Sequence, residues 1–114
     1  MTTKPKGTML EASEGTLTDA ATIAWDIPGD GAVVKVTLAN SRIMGAPTNA
    51  VQGGFYSLAV IQDVTGGRTL SWNAAFLFPA DTAPTLTTTG GARDEFVFKY
   101  DGTNFRLVGK TLDT

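Results

Sequence analysis

The apolar residues of this chain come in short runs that alternate with polar ones, and turn-forming residues close almost every run. No segment of ten or more residues keeps apolar side chains at i, i+3, i+4 and i+7, so no amphipathic helix is encoded. Thirteen glycines, five prolines and eighteen threonines point the same way. Glycine and proline interrupt helices, and β-branched threonine suits a pleated surface. "TIAWDI" (Thr22–Ile27) reads as a first strand, stopped by "PGDG" (Pro28–Gly31). "AVVKVTLA" (Ala32–Ala39) places Val34, Val36 and Leu38 on one face and Val33, Lys35 and Thr37 on the other, as in a half-exposed antiparallel strand. A long connection, Asn40–Gly54, has room for a short strand at Arg42–Met44.

"FYSLAVIQ" (Phe55–Gln62) differs from the other runs. Tyr56, Leu58 and Val60 line one face, while Phe55, Ala59 and Ile61 line the other. Two-sided apolarity marks a central strand covered on both faces. One small sheet pair covers only one face well, so a second copy of the chain is the simplest cover for Phe55, Ala59 and Ile61.

"QDVTGGRTLSW" (Gln62–Trp72) reads as a hairpin, with Asp63–Gly67 as the loop and Arg68–Trp72 as the return strand. Phe76 and Phe78 alternate before Pro79, and "ADTAPT" is a turn. In "DEFVFKYDGTNFRLVG" (Asp94–Gly109), Phe96, Phe98 and Tyr100 share a face. "DGTN" then turns the chain, and Phe105 and Leu107 return. Asp-Gly between alternating aromatic strands is a strong hairpin signal. Seven or eight short strands at such spacings predict an all-β fold, a small antiparallel β-sandwich or barrel of jelly-roll type. Residues 1–20 are polar, with Met9, Leu10 and Leu17 their only large apolar side chains after the initiator. They read as an extended N-terminal arm before a single domain over residues 21–114. The glycine pairs at 53–54, 66–67 and 90–91 are unevenly spaced, and no internal repeat is visible.

The missing residue types limit chemistry. With no histidine, the usual general base near neutral pH is gone. With no cysteine either, disulfides and the common zinc, copper and iron sites are excluded, and no cofactor is implied. The eight aspartates do not fall into a calcium-loop spacing, and "DGTN" and "DIPGDG" are better read as turns. Asp94 and Glu95 are adjacent, so on one strand they point to opposite faces and form no glycosidase pair. The net charge of −2, with basic residues scattered, disfavours nucleic acid. No run approaches the ~20 apolar residues that cross a bilayer, and no membrane partner is expected. The N-terminus also lacks a signal peptide's apolar run. Two side chains are weighed as ligand contacts. Arg68 could present a guanidinium to a carboxylate or sugar, but Asp63 across the turn offers a local partner. Trp72 could stack on a sugar ring, but its neighbour Leu70 favours a core or interface position. The structural reading is preferred for both.

Taken together, "WD" at Trp25–Asp26, "GGFYSLAVIQDVTGGRTLSW" at 53–72, "APTL" at 83–86 and "DEFVFKYDGTNFRLVG" at 94–109 resemble a domain common in bacteriophage virion proteins of the tail-fibre and receptor-binding type. The match covers roughly residues 22–109. Gln62, Asp63, Gly66, Gly67, Arg68 and Trp72 match its hairpin, Pro84 and Leu86 its connecting turn, and Asp101, Gly102 and Thr103 its last turn. The resemblance implies a β-rich, often trimeric module on a phage particle, made in the host cytoplasm, and not an enzyme. In long fibres the domain follows a shaft or adaptor, whereas here it begins about twenty residues into the chain. The expectation is therefore a homotrimeric capsid decoration (cement) protein, with a tail-fibre or tail-spike module for a host-surface glycan as the alternative. Attachment to capsid or tail proteins would run through the arm, with Lys4, Lys6, Met9 and Leu10 as contacts.

Overall fold

The computed structural model describes residues 14–113. Among them the chain forms β1 (Gly15–Thr16), β2 (Thr22–Ile23), the one-turn helix α1 (Ile27–Asp30), β3 (Val33–Leu38), β4 (Arg42–Met44) and β5 (Phe55–Gln62). It continues with β6 (Leu70–Trp72), β7 (Phe76–Leu77), a 3-10 turn at Pro79–Asp81, β8 (Arg93–Tyr100) and β9 (Phe105–Thr111). The β-rich expectation holds. The strand expected over Thr22–Ile27 stops at Ile23, because Pro28 opens α1 and the Asp30 carboxylate accepts the Asp26 N–H at 2.8 Å. Trp25 fastens this turn by donating its indole N–H to the Gly31 carbonyl at 2.9 Å.

The strands form a six-stranded sheet, ordered β1-β3-β5-β8-β9-β7, and a three-stranded sheet, ordered β2-β4-β6. The purely antiparallel arrangement expected from sequence is not what forms. β1, β3 and β5 pair in parallel, with Gly15 opposite Val34 and Val34 opposite Leu58. β2, β4 and β6 also pair in parallel, with Ile23 opposite Met44 and Met44 opposite Trp72. The first two-thirds of the body is thus a stack of three rungs, each a strand, a corner and a second strand. The corners, residues 17–21, 39–41 and 63–69, differ in length, which is why no sequence period is visible. β8 and β9 then close the large sheet as the antiparallel hairpin that Asp101-Gly102 predicts.

Arg68–Trp72 is likewise not the return arm of a hairpin with β5. The Gln62 side-chain amide donates from Nε2 to the Arg68 carbonyl and accepts the Arg68 N–H at Oε1, each at 2.9 Å. A side chain stands where a backbone partner would stand in a hairpin. The two strands are held apart by its length, and the chain crosses from one sheet to the other.

The core follows the alternation. Trp25, Val34, Val36, Leu58, Val60, Phe96 and Phe98 are all buried, as their spacing predicts. Ile23 and Met44 from the small sheet join them. The lower end carries edge-to-face contacts of Trp25 with Tyr56 and of Tyr56 with Phe105. Residues 14–20, expected as part of an arm, belong to the body: β1 pairs with β3, and Leu17 is buried in the core. Lys4, Lys6, Met9 and Leu10 lie outside the described residues.

Candidate functional site

The β5–β6 corner holds Asp63, Gly66, Gly67 and Arg68, with Gln62 at its edge, the densest group of residues that carry the resemblance. Alternation along β5 sends Gln62 to the same inner face as Leu58 and Val60, so an amide is buried there, 2% exposed. A buried amide must be satisfied. Gln62 donates to the Arg68 and Thr87 carbonyls and accepts the Arg68 N–H, so one side chain joins three segments of chain. Asp63 caps the turn by accepting the Gly66 N–H at 3.0 Å. It also receives Arg68 in a two-point ion pair, Nη2 to Oδ2 at 2.8 Å and Nε to Oδ1 at 3.2 Å. The Arg68 hydrogen bonds, and then the Gly66 N–H, hold the Asp63 carboxyl below its ordinary range. Gly66 has φ of 74°, and a Cβ there would run into the Thr88 carbonyl. Only glycine fits this approach.

A second two-point Asp–Arg pair links the first two rungs. Asp19, on the first corner, takes Arg42 of the second rung in a two-point pair at 2.8 and 3.0 Å, and accepts the Ala39 N–H at 3.1 Å. The Arg42 bonds lead in lowering the Asp19 carboxyl below its ordinary value. Ser41 Oγ accepts the Thr69 N–H, tying the second corner to the third. Asp19 with Arg42 and Ser41 with Thr69 thus link successive rungs, whereas the Asp63–Arg68 pair lies within the third corner.

Trp72, the second side chain weighed as a ligand contact, is half-buried within an aromatic cluster. Its ring meets Phe76, Phe78, Phe96 and Phe98 at centroid distances of 5.1 to 5.7 Å. A hollow of about 130 Å³ beside β6 is lined by Thr69, Leu70, Pro84, Thr85, Leu86 and Thr88. That is smaller than the ~300–1,000 Å³ of ordinary small-molecule sites. Leu86 itself is buried in the core, so the "APTL" piece serves packing.

The outer face of the large sheet bears on the expected oligomer contact. Phe55 is 59% exposed and Ile61 is half-buried. Ala59, expected beside them in the interface, is 1% exposed and therefore already covered within the chain. In register it lies between Lys35 of β3 and Glu95 of β8, two long side chains flanking a methyl group. Glu14, at the start of β1, reaches Arg93 of β8 at 2.6 Å, and Arg93 is opposite Ile61. That ion pair spans the outer face at the level of Ala59 and Ile61. The exposed apolar part of this face is Phe55 with Val33, which is 49% exposed on the adjacent strand. The Lys99 ammonium stands 5.6 Å from the Phe55 ring centre.

Asp94 and Glu95 do point to opposite faces. Asp94 is buried and accepts the Thr87 and Asp113 N–H groups at 2.7 and 2.8 Å, whereas Glu95 is exposed and pairs with Arg93. Gln62 was named from sequence only through the resemblance and Asp94 only as half of a rejected carboxylate pair, although the period-two pattern places both inside. Among the described residues no three carboxylates gather into a cation site, and no helix is long and apolar enough to cross a membrane. Comparison with known protein families, curated proteins and solved structures finds no match.

Proposed function

We propose that this chain is a structural module of a bacteriophage virion, a homotrimeric capsid decoration protein that works by assembly rather than by turnover. The observation that carries the reading is the exposed Phe55, with the exposed Val33 on the adjacent strand, on the outer face of the large sheet. Aromatic side chains are enriched in interface cores, and Phe55 with Val33 forms the proposed contact between copies. The corner adds support by what it withholds. Asp63 and Arg68, central to the resemblance, are paired with each other, and Gln62 and Gly66 are bonded within the same corner, which leaves the glycan-binding alternative without its proposed arginine. Trp72 is engaged in the aromatic cluster in the same way.

The test is mass spectrometry with copy counting on purified particles of the source phage. Hundreds of copies per particle support decoration. A handful of copies assigns the chain to the tail, and absence from particles removes the virion reading.

A further inference from the structure

β9 has seven residues, but β7 pairs with its outer edge only at Phe105 and Arg106. At Pro79 the chain leaves β9 through a 3-10 turn in which Ala80 and Asp81 take positive φ. The line that β7 began is then vacant along Leu107–Thr111. Among the described residues no strand fills it. Two adjoining hollows of about 300 and 240 Å³ occupy this place, both bordered by Pro79, Leu107 and Val108. Leu77 and Phe78 extend the wall on one side, and Gly109 and Lys110 continue it on the other. Val108 is 54% exposed, and nothing stands within 4 Å of where a Gly109 Cβ would be.

We propose that this slot receives an extended, acidic segment of a partner protein, which adds a strand to β9. The inference stands apart from the virion reading and needs no phage to hold. An open strand edge offers backbone donors and acceptors that only another extended chain can match, and the apolar wall supplies pockets for alternate side chains. Charge decides the kind of strand. Arg106 is paired with Asp101 at 2.7 Å, but Lys110 takes part in no ion pair among the described residues. Asp81 follows Pro79 by two residues but lines neither hollow. A lysine on an edge strand opposes pairing with an identical edge, and the β8–β9 bulge near Val97 and Phe98 acts in the same sense. Lys110 therefore disfavours a second copy of β9 and favours a strand that brings a carboxylate.

The probe is a fluorescein-labelled, blocked octapeptide of alternating valine and threonine carrying two aspartates, compared with the same peptide carrying two lysines. Binding is read by anisotropy, and location by amide chemical shifts in an ¹⁵N-labelled full-length protein. The aspartate peptide should bind about two- to fivefold more tightly, the size of one exposed charge contact, with shifts centred on Leu107–Thr111. Lys110→Glu, at an exposed position, should reverse the preference while leaving the rest of the spectrum in place. Equal binding of the two peptides, no binding of either, or shifts elsewhere would overturn the proposal. So would concentration-dependent dimerisation through these same amides without peptide, which would give the edge to a second copy.

Discussion

Gln62 and Arg68 sit six residues apart, yet the physical reasons for their presence differ, and substitution separates them. Replacing Gln62 with leucine keeps its volume but strands the buried Thr87 carbonyl and the part-buried Arg68 N–H and carbonyl. Each unsatisfied buried group costs about 1–3 kcal/mol, so Gln62→Leu should destabilise the fold by at least about 2 kcal/mol in urea unfolding. Arg68→Ala leaves Asp63 partly solvated and still capping Gly66, so its effect should be clearly smaller. A larger loss from Arg68→Ala would assign the corner's strength to the ion pair instead. The carboxylates give a pH signature. Asp19 and Asp63 are held below their ordinary value of 3.8 chiefly by their arginines, and the Asn104 and Thr103 N–H groups followed by Arg106 bring Asp101 to about 2. A carboxyl lowered on folding stabilises the fold above its unfolded pKa, and that contribution fades as pH falls through the folded value. Thermal midpoints should hold steady down to pH near 4 and decline between 3.8 and about 2. A midpoint that rises on acidification over that range would contradict the assignment.

At the scale of elements, strands and faces were legible and their partners were not. Alternation located β3, β4, β5, β8 and β9 within a residue or two, and sorted Leu58, Val60, Phe96 and Phe98 inward. It is blind to whether a neighbouring strand runs parallel or antiparallel, because both place side chains on alternate faces. Asp63–Gly67 looked like the loop of a hairpin, whereas the place of its two glycines is set by a distant segment: Gly66 abuts the Thr88 carbonyl, and the Gly67 N–H donates to that same carbonyl at 2.8 Å. The alternation that placed Gln62 on the inner face of β5 already implied a buried amide, so the corner's pivotal residue was within reach. A paired substitution examines this element. Gly67, with φ of 78° and open space around its Cβ position, carries only a conformational penalty, so Gly67→Ala should cost about 1 kcal/mol. Gly66→Ala adds a clash with backbone and should cost distinctly more, about 2–3 kcal/mol or greater. Equal effects in denaturant titration would mean that the 85–90 segment does not press on this corner.

For the whole molecule, the outer side of the large sheet leaves Phe55 and Val33 in solvent, and that face is where assembly is proposed. The interface inferred from sequence took the outer side of β5 as Phe55, Ala59 and Ile61, of which Ala59 is covered within the chain and Ile61 is half-buried. Composition could not show that Glu14 and Arg93 would span the upper half, or that Ala59 would be covered by its own chain. What is exposed is Phe55 with Val33, flanked by Lys99. Phe55→Glu removes the aromatic contact and places a desolvated charge in any interface formed there, while in a monomer it substitutes an exposed side chain at little cost. Light scattering on the full-length protein and on Phe55→Glu, both checked for an unchanged circular-dichroism spectrum, tests assembly through this face most directly. The expected result is three times the chain mass for the parent and a single chain mass for the variant. A monomeric parent, or a variant that remains trimeric, would contradict it.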